Sequence, residues 1–252
     1  MAEDDSQAES MARAIPASPA RRNAGHGWRW IALGLSLLAC LWLARGPILR
    51  GLALGLIVED DLPEKAAVWL GGGEGSLEIA ALFHQEGLSR VVLVTRPEPD
   101  RLVQLGILPS WETIIQDQMA RRGVPPRKVQ FLGSHCRSEW DSARAFRAWS
   151  AQHSELRVIV LCNRFNSRER LVVLTQILGP EAVERIHLVA LADRRYDEND
   201  WWTTRTGVKD FFNGWLGLLY ARLLGEPPRR AEPWDPDRYQ SDLAERLRSG
   251  PS

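Results

Sequence analysis

The amino-acid sequence predicts an α/β fold: a doubly wound parallel sheet of about five strands, preceded by one transmembrane helix. Three observations predict it. Five short runs rich in Val, Ile and Leu alternate with stretches whose apolar residues recur at helical spacing. Those runs are apolar along nearly their whole length, as strands buried on both faces are. An uncharged stretch at 31–44 stands apart from them, near the N-terminus.

Residues 1–27 hold Asp, Ser, Ala, Pro and Arg with nothing periodic to bury, so a disordered tail is expected. The anchor and its juxtamembrane segment are assigned to 28–58. The run 31–44 has fourteen residues, short of the roughly 20 that span a bilayer. Trp28 and Trp30 suit one interface, Arg29 and Arg45 can snorkel outward, and Ile48 and Leu49 lengthen the helix. A cleaved signal peptide lacks its small-residue site. Leu37-Leu38-Ala39-Cys40 has the look of a bacterial lipobox, but the run continues past Cys40, which favours an uncleaved helix and leaves lipidation of Cys40 open. Arg13, Arg21, Arg22 and Arg29 precede the run and Arg45, Arg50 and Lys65 follow it. That slight bias points to a cytoplasmic N-terminus, a single pass through the inner membrane and an extracytoplasmic domain. Residues 51–58 read as juxtamembrane packing, and 59–65, with Asp60, Asp61 and Pro63, as a linker.

The sheet domain is assigned to 66–225. Its strands are 66–70 (AAVWL), 90–95 (RVVLVT), 128–132 (KVQFL), 157–162 (RVIVLC) and 185–192 (RIHLVALA). Between them, Ile79, Leu82 and Phe83 mark one helix, stopped by Gly87. Trp111, Ile114, Ile115 and Met119 mark a second. Ser138-x-x-Asp141 opens a third, with Ala143, Phe146 and Trp149 on its apolar face. Residues 168–178 form a fourth, ended by Gly179-Pro180. Val208, Phe211, Phe212, Trp215 and Leu219 line the last, and a polar tail, 226–252, follows.

Charge is balanced, 32 basic against 32 acidic residues, which argues against a nucleic-acid partner. Cys40, Cys136 and Cys162 are too few for a disulfide framework, and no Cys-x-x-Cys or other ligand spacing suggests a metal. Ligands of such sheets bind at the carboxyl ends of the strands, where strand order reverses. The loops to inspect are therefore 71–76, 95–99, 133–138 and 163–168.

The first loop, Gly71-Gly72-Gly73-Glu74-Gly75-Ser76, opens a helix and lets backbone N–H groups approach an anion. Its spacing is neither a phosphate-loop nor a dinucleotide fingerprint, so no cofactor is identified, and a plain tight turn explains it equally well. The fourth loop, Asn163-Arg164-Phe165-Asn166-Ser167-Arg168, continues to Glu169 and Arg170; its three arginines with Asn and Ser read as an oxyanion or phosphate clamp, in which Arg164 and Arg168 hold the anion. Solvated ion pairs are the plainer alternative. His135 and Cys136 are adjacent, but neighbours in an extended segment point apart, which disfavours a Cys/His couple. Trp201 and Trp202 precede the last helix, where packing accounts for them slightly better than roofing a pocket.

The succession of an anchor, a strand entering Gly-Gly-Gly, Arg121-Arg122-Gly123-Val124-Pro125, the strand entering Arg-Phe-Asn-Ser-Arg, and a late Trp before a long helix resembles the SanA/ElyC/YdcF family of bacterial envelope proteins, over about residues 47–224. The resemblance implies a Rossmann-like domain on an inner-membrane anchor, with a role in peptidoglycan-precursor homeostasis. It places site residues at Gly71, Gly72, Gly73, Ser138, Asn163, Ser167, Arg168 and Trp202, and the loop reading adds Arg164 and Asn166. Similar proteins have an early Arg in the first helix, where this chain has Ser76-Leu77. They have a His where it has Asn166, and an acid in the last helix at a position that aligns with Gly214. Two functions follow. One is the binding of an anionic small molecule, such as a polyprenyl phosphate or cell-wall precursor. The other is a non-catalytic envelope scaffold that has lost the family's chemistry. A nucleotide or S-adenosylmethionine site rests on the fold alone.

Overall fold

The computed structural model describes residues 24–73, 75–226 and 235–249. Residues 1–23 of the expected N-terminal tail, Glu74 of the glycine loop, and 227–234 and 250–252 of the C-terminal tail lie outside the described residues. The chain divides into two compact units, Met1–Ile48 and Leu49–Ser252.

In the first unit, the described residues belong to helix α1 (Ala24–Leu54), which runs on into the second unit. Ile31, Leu33, Leu35, Leu37, Leu38 and Leu43 are each more than 60% exposed. At 100° per residue these positions point all round the helix, so no polar face exists to turn toward water. Among the described residues no single helix is long and apolar enough to cross a membrane. The segments Trp28–Cys40 and Trp42–Leu54 meet that test only as a pair bent by 44°.

The second unit holds one parallel sheet of five strands: β1 (Ala66–Leu70), β2 (Ser89–Pro97), β3 (Val129–Cys136), β4 (Arg157–Asn163) and β5 (Ile186–Leu191), in the order β3-β2-β1-β4-β5. Each strand is one of the five apolar runs. In the central strand Val68 pairs with Val92 on one side and Ile159 on the other. Side chains alternate between two cores. Ala67, Trp69, Leu93, Val158, Val160 and Leu188 face α5 (Glu139–Ser150) and α6 (Ser167–Leu178), where Trp69 stacks on Phe146 at 4.6 Å. Ala66, Val68, Val92, Val94, Ile159 and Leu161 face α2 (Ser76–Gln85) and α4 (Trp111–Arg121). Helices on both faces explain why the strand runs are apolar throughout instead of alternating with polar residues. The remaining helices in chain order are α3 (Arg101–Gln104), α7 (Pro180–Val183), α8 (Arg205–Leu223) and α9 (Pro236–Ser249).

Several boundaries differ from expectation, and helix α1 starts at Ala24, inside the stretch 1–27 expected to be a tail. β2 and β3 continue past Thr95 and Leu132, with a register shift and a further pairing of Pro97 with Cys136, so the loops at 95–99 and 133–138 are largely strand. The 51–58 segment belongs to the folded unit: Ala53 and Leu56 are fully buried in a third core with Phe165, Trp201, Phe211 and Leu218. Most of the polar tail is helix α9, whose start was hidden by the absence of an apolar run.

Candidate ligand site at the strand crossover

From β1 the chain builds outward through β2 and β3, then returns to lay β4 on the other side of β1. The connections leaving β1 and β4 therefore diverge, and the crevice between them is where such sheets place ligands. The residues at its two lips are the glycine loop and Asn163–Arg170.

The glycine loop is held from beneath. Gly71 N–H donates to Leu161 O at 2.8 Å, and its carbonyl accepts from Arg170 Nη2 at 2.6 Å. A side chain at Gly71 would collide with the Arg170 guanidinium and come within 2.8 Å of Leu161 O. Gly73 has φ +99°, and a Cβ there would lie 3.2 Å from Asn163 N, so this turn passes against the end of β4 too closely for another residue. Gly72, at φ +112°, faces open space. It is the position from which the turn meets solvent, four residues before α2 begins at Ser76. That first turn also holds Glu78, whose carboxyl the Arg122 hydrogen bond keeps below the usual range, with the positive charge of Arg194 acting in the same sense.

The arginines do not form the expected clamp. Arg164 is spent on Glu198 through two bonds, Nε–Oε2 at 2.8 Å and Nη2–Oε1 at 3.0 Å, and also donates to Ala190 O at 3.2 Å. Arg168 donates to Ile57 O at 3.1 Å, away from the glycine loop. Ser167 is fully buried; its hydroxyl accepts from Val58 N–H at 2.8 Å and contacts Leu56 O at 3.2 Å, tying the 56–58 segment to the sheet. The reason lies in the helix repeat. Residues 168 and 170 are two apart, about 200° round the helix, so only one of them can face the sheet. The one that does is Arg170, buried with Ser167, Val173 and Leu174. Its guanidinium lies 5.6 Å over the Trp69 ring and pairs with Glu139 at the start of α5. Arg170 belongs to the clamp loop but not to the pair expected to hold the anion. The 167, 170, 174 spacing was the signal for it.

The other expected site residues scatter. Asn163 stays at the crevice: its Oδ1 accepts from Phe165 N–H at 3.1 Å. Tyr196 donates to Asp210 of α8, and burial together with that bond pushes its hydroxyl well above the usual range. Ser138 caps α5, accepting from Asp141 N–H at 3.2 Å and donating to its carboxylate at 3.0 Å. Asn166 is exposed and offers no acid or base. Trp202 packs edge-on against Trp201, which stacks on Phe211 at 3.7 Å, so the Trp pair seats α8.

The crevice brings together the Gly71–Gly73 backbone, Asn163, Arg170 and Glu139. Arg170 is the group in that set that can attract an anion, and the Glu139 carboxylate already paired with it opposes one. The set lacks an activated nucleophile: the thiol of buried Cys162 at the end of β4 is pushed up to about 11, chiefly by burial. Among the described residues no group of three or more His, Cys, Asp or Glu is placed to hold a metal. A shallow cleft lined by Phe146, Leu156, Val158, Leu178 and Ile186 opens at the opposite, amino end of β4 and β5, and is mostly apolar.

One carboxylate beside the site is destabilising. Burial, and then the negative charge of Glu139, raise the pKa of Glu169, against the opposing pull of Arg170. A raised carboxylate favours the fold while protonated, and that benefit is lost as pH rises through the folded value. Glu169→Gln is therefore expected to raise Tm at neutral pH by about 1–2 °C, kept small by solvent screening. The gain should vanish below the carboxylate range, and thermal melts at both pH values check this.

No protein-family model matches the chain, and no curated protein matches it. Among solved structures, an X-ray crystal structure of glucose-6-phosphate 1-dehydrogenase from Mycobacterium avium is similar over 61% of this chain and 34% of that one, with 13% identity and a TM-score of 0.33. The chain thus spans about a third of that enzyme's length.

Proposed function

We propose that this is a bilayer-anchored envelope protein of the SanA/ElyC/YdcF type, whose Rossmann-like domain binds an anionic headgroup at the β1–β4 crevice without turning it over. The ligand class is a phosphate-bearing cell-wall or lipid-carrier precursor such as a polyprenyl phosphate. The observation that carries the proposal is the glycine turn, open at Gly72, at the N-terminus of α2, with the Arg170 guanidinium directly beneath it. The all-round apolar surface of 31–43 supports the anchor, by the rule that a helix with no polar face is not a water-soluble one. An inner-membrane, single-pass location with the domain outside the cytoplasm goes with that reading.

The test uses the full chain in detergent, titrated calorimetrically with a polyprenyl phosphate and with inorganic phosphate. Gly72→Asp places a negative charge in the open turn, and Gly72→Asn places the same shape without it. Both variants carry the backbone strain of a side chain at φ +112°, so charge is read from their difference: affinity for the polyprenyl phosphate should be at least about tenfold lower in the Asp variant than in the Asn variant. Equal affinity in both, or none in the parent, would refute the site.

A second reading, the non-catalytic scaffold with no small ligand, is favoured by the internal pairing of Arg164 with Glu198 and of Arg170 with Glu139. The same titration separates the two, because a scaffold binds neither phosphate.

A further inference from the structure

Helix α8 has one face inside the fold and one outside it. Gly207, Phe211, Gly214, Leu218 and Ala221 are buried. Phe212, Leu216, Leu219, Tyr220, Leu223 and Leu224 recur at i, i+4, i+7, i+8, i+11 and i+12, and are exposed, Leu216 at 64%, Leu223 at 77% and Leu224 at 70%. A water-facing helix side is ordinarily charged; this one carries a continuous apolar stripe. Arg205 and Lys209, both exposed, lie in line with the stripe at its N-terminal end. The sole acid of α8 is Asp210, which Tyr196 bonds off this face. Apolar residues with basic residues beside them and no acids are the composition of a helix that lies in the headgroup region of an anionic leaflet.

The chain's connectivity points to the same occupant. Leu49, Ala53 and Leu56 pack with Trp215 and Leu218 of α8 in the third core. Ala53 follows Ala44, the last residue of the uncharged run, by nine positions. Nine residues reach about 14 Å as helix and about 32 Å fully extended. In an anchored chain the third core is thus tethered within about 32 Å of the end of the uncharged run. Leu52 and Leu54, on the segment that joins the two, are themselves 45% and 44% exposed.

We propose that α8 rests along the membrane with this stripe sunk into the boundary between headgroups and acyl chains, a second attachment beside the anchor. The proposal builds on the anchored reading of 28–58. It would also orient the crevice, because α8 packs on the Arg164–Asn166 turn that leaves β4.

The test is photolabelling of the full chain in vesicles of phosphatidylethanolamine with about one quarter phosphatidylglycerol, doped with a diazirine-bearing phospholipid. Tryptic cleavage isolates 30–45 from the anchor and 210–222 from α8. Adducts on both peptides are expected. Leu216→Glu with Leu219→Glu, at positions the fold leaves exposed, should cut adducts on 210–222 at least about fivefold and leave those on 30–45 unchanged. Adducts on 30–45 alone would overturn the proposal while the anchor stands, as would a second copy covering the stripe. Adducts on 210–222 alone would refute the anchor and overturn α8 as a second attachment, leaving it the first. Adducts on neither, or no response to the double substitution, would overturn it.

Discussion

A Gly214→Glu variant is expected to lose more than about 4 kcal/mol of stability and to recover no activity. The resemblance drawn from the sequence alone expects an acid at this position, but in this fold α8 crosses the Arg164–Asn166 turn at Gly214. A Cβ at that position would stand 2.5 Å from the Phe165 carbonyl oxygen and 3.2 Å from Leu56 Cδ1. The first is backbone and cannot swing aside. Phe165 is 1% exposed, with Tyr196 and Phe211 packed round its ring, so the turn cannot retreat either. Glutamate adds a carboxylate that would have to be buried without a partner. The informative control is Gly214→Ala. In an open helix that change gains about 1 kcal/mol through propensity; here overpacking should turn it into a loss of about 2 kcal/mol. Denaturant titration reads both variants. An alanine variant as stable as the parent would mean that the crossing is loose and that an acid could sit there after all.

The same crossing shows what a sequence can and cannot disclose. All five strands were legible, because burial on both faces makes each an apolar run, and period-2 alternation then sorts Val68 and Trp69 into opposite cores without further information. The crevice was legible only in part: the glycine turn stands out in the sequence, but the strand order that sets it against the end of β4 comes with the fold. The role of each arginine was not. Arg164, Arg168 and Arg170 are alike as residues, and what separates them is which partner the fold brings. Glu198 reaches Arg164 from 34 positions away, Ile57 reaches Arg168 from 111, and Gly71 reaches Arg170 from 99. Helix phase alone could have singled out Arg170 as the inward one, but not named Glu139 or Trp69 as its neighbours. The requirement for glycine at 214 was invisible for the same reason: it is set by a carbonyl 49 residues earlier in the chain.

Arg164→Ala is expected to cost about 3 kcal/mol of stability and to leave anion affinity unchanged in the folded protein. The side chain is 20% exposed and Glu198 15%, so the pair is largely shielded from water, and the truncation leaves the carboxylate there with no cation to meet it. It also frees the end of β5, through Ala190 O, and the linker, through Glu59 at 3.6 Å. The fork geometry matters as much as the charge, because two parallel bonds to one carboxylate need the planar guanidinium. Arg164→Lys should accordingly recover about half of the loss. Glu198→Ala strands Arg164 in the same way, and the double variant should be less destabilised than the sum of the singles by about 2 kcal/mol. A ligand clamp predicts the reverse pattern. An arginine held in a crevice for an absent anion is destabilising on its own, so its removal would be neutral or stabilising and would abolish binding. Denaturation curves for the cycle, paired with the phosphate titration on the same samples, decide between a residue that holds the fold and one that holds the ligand.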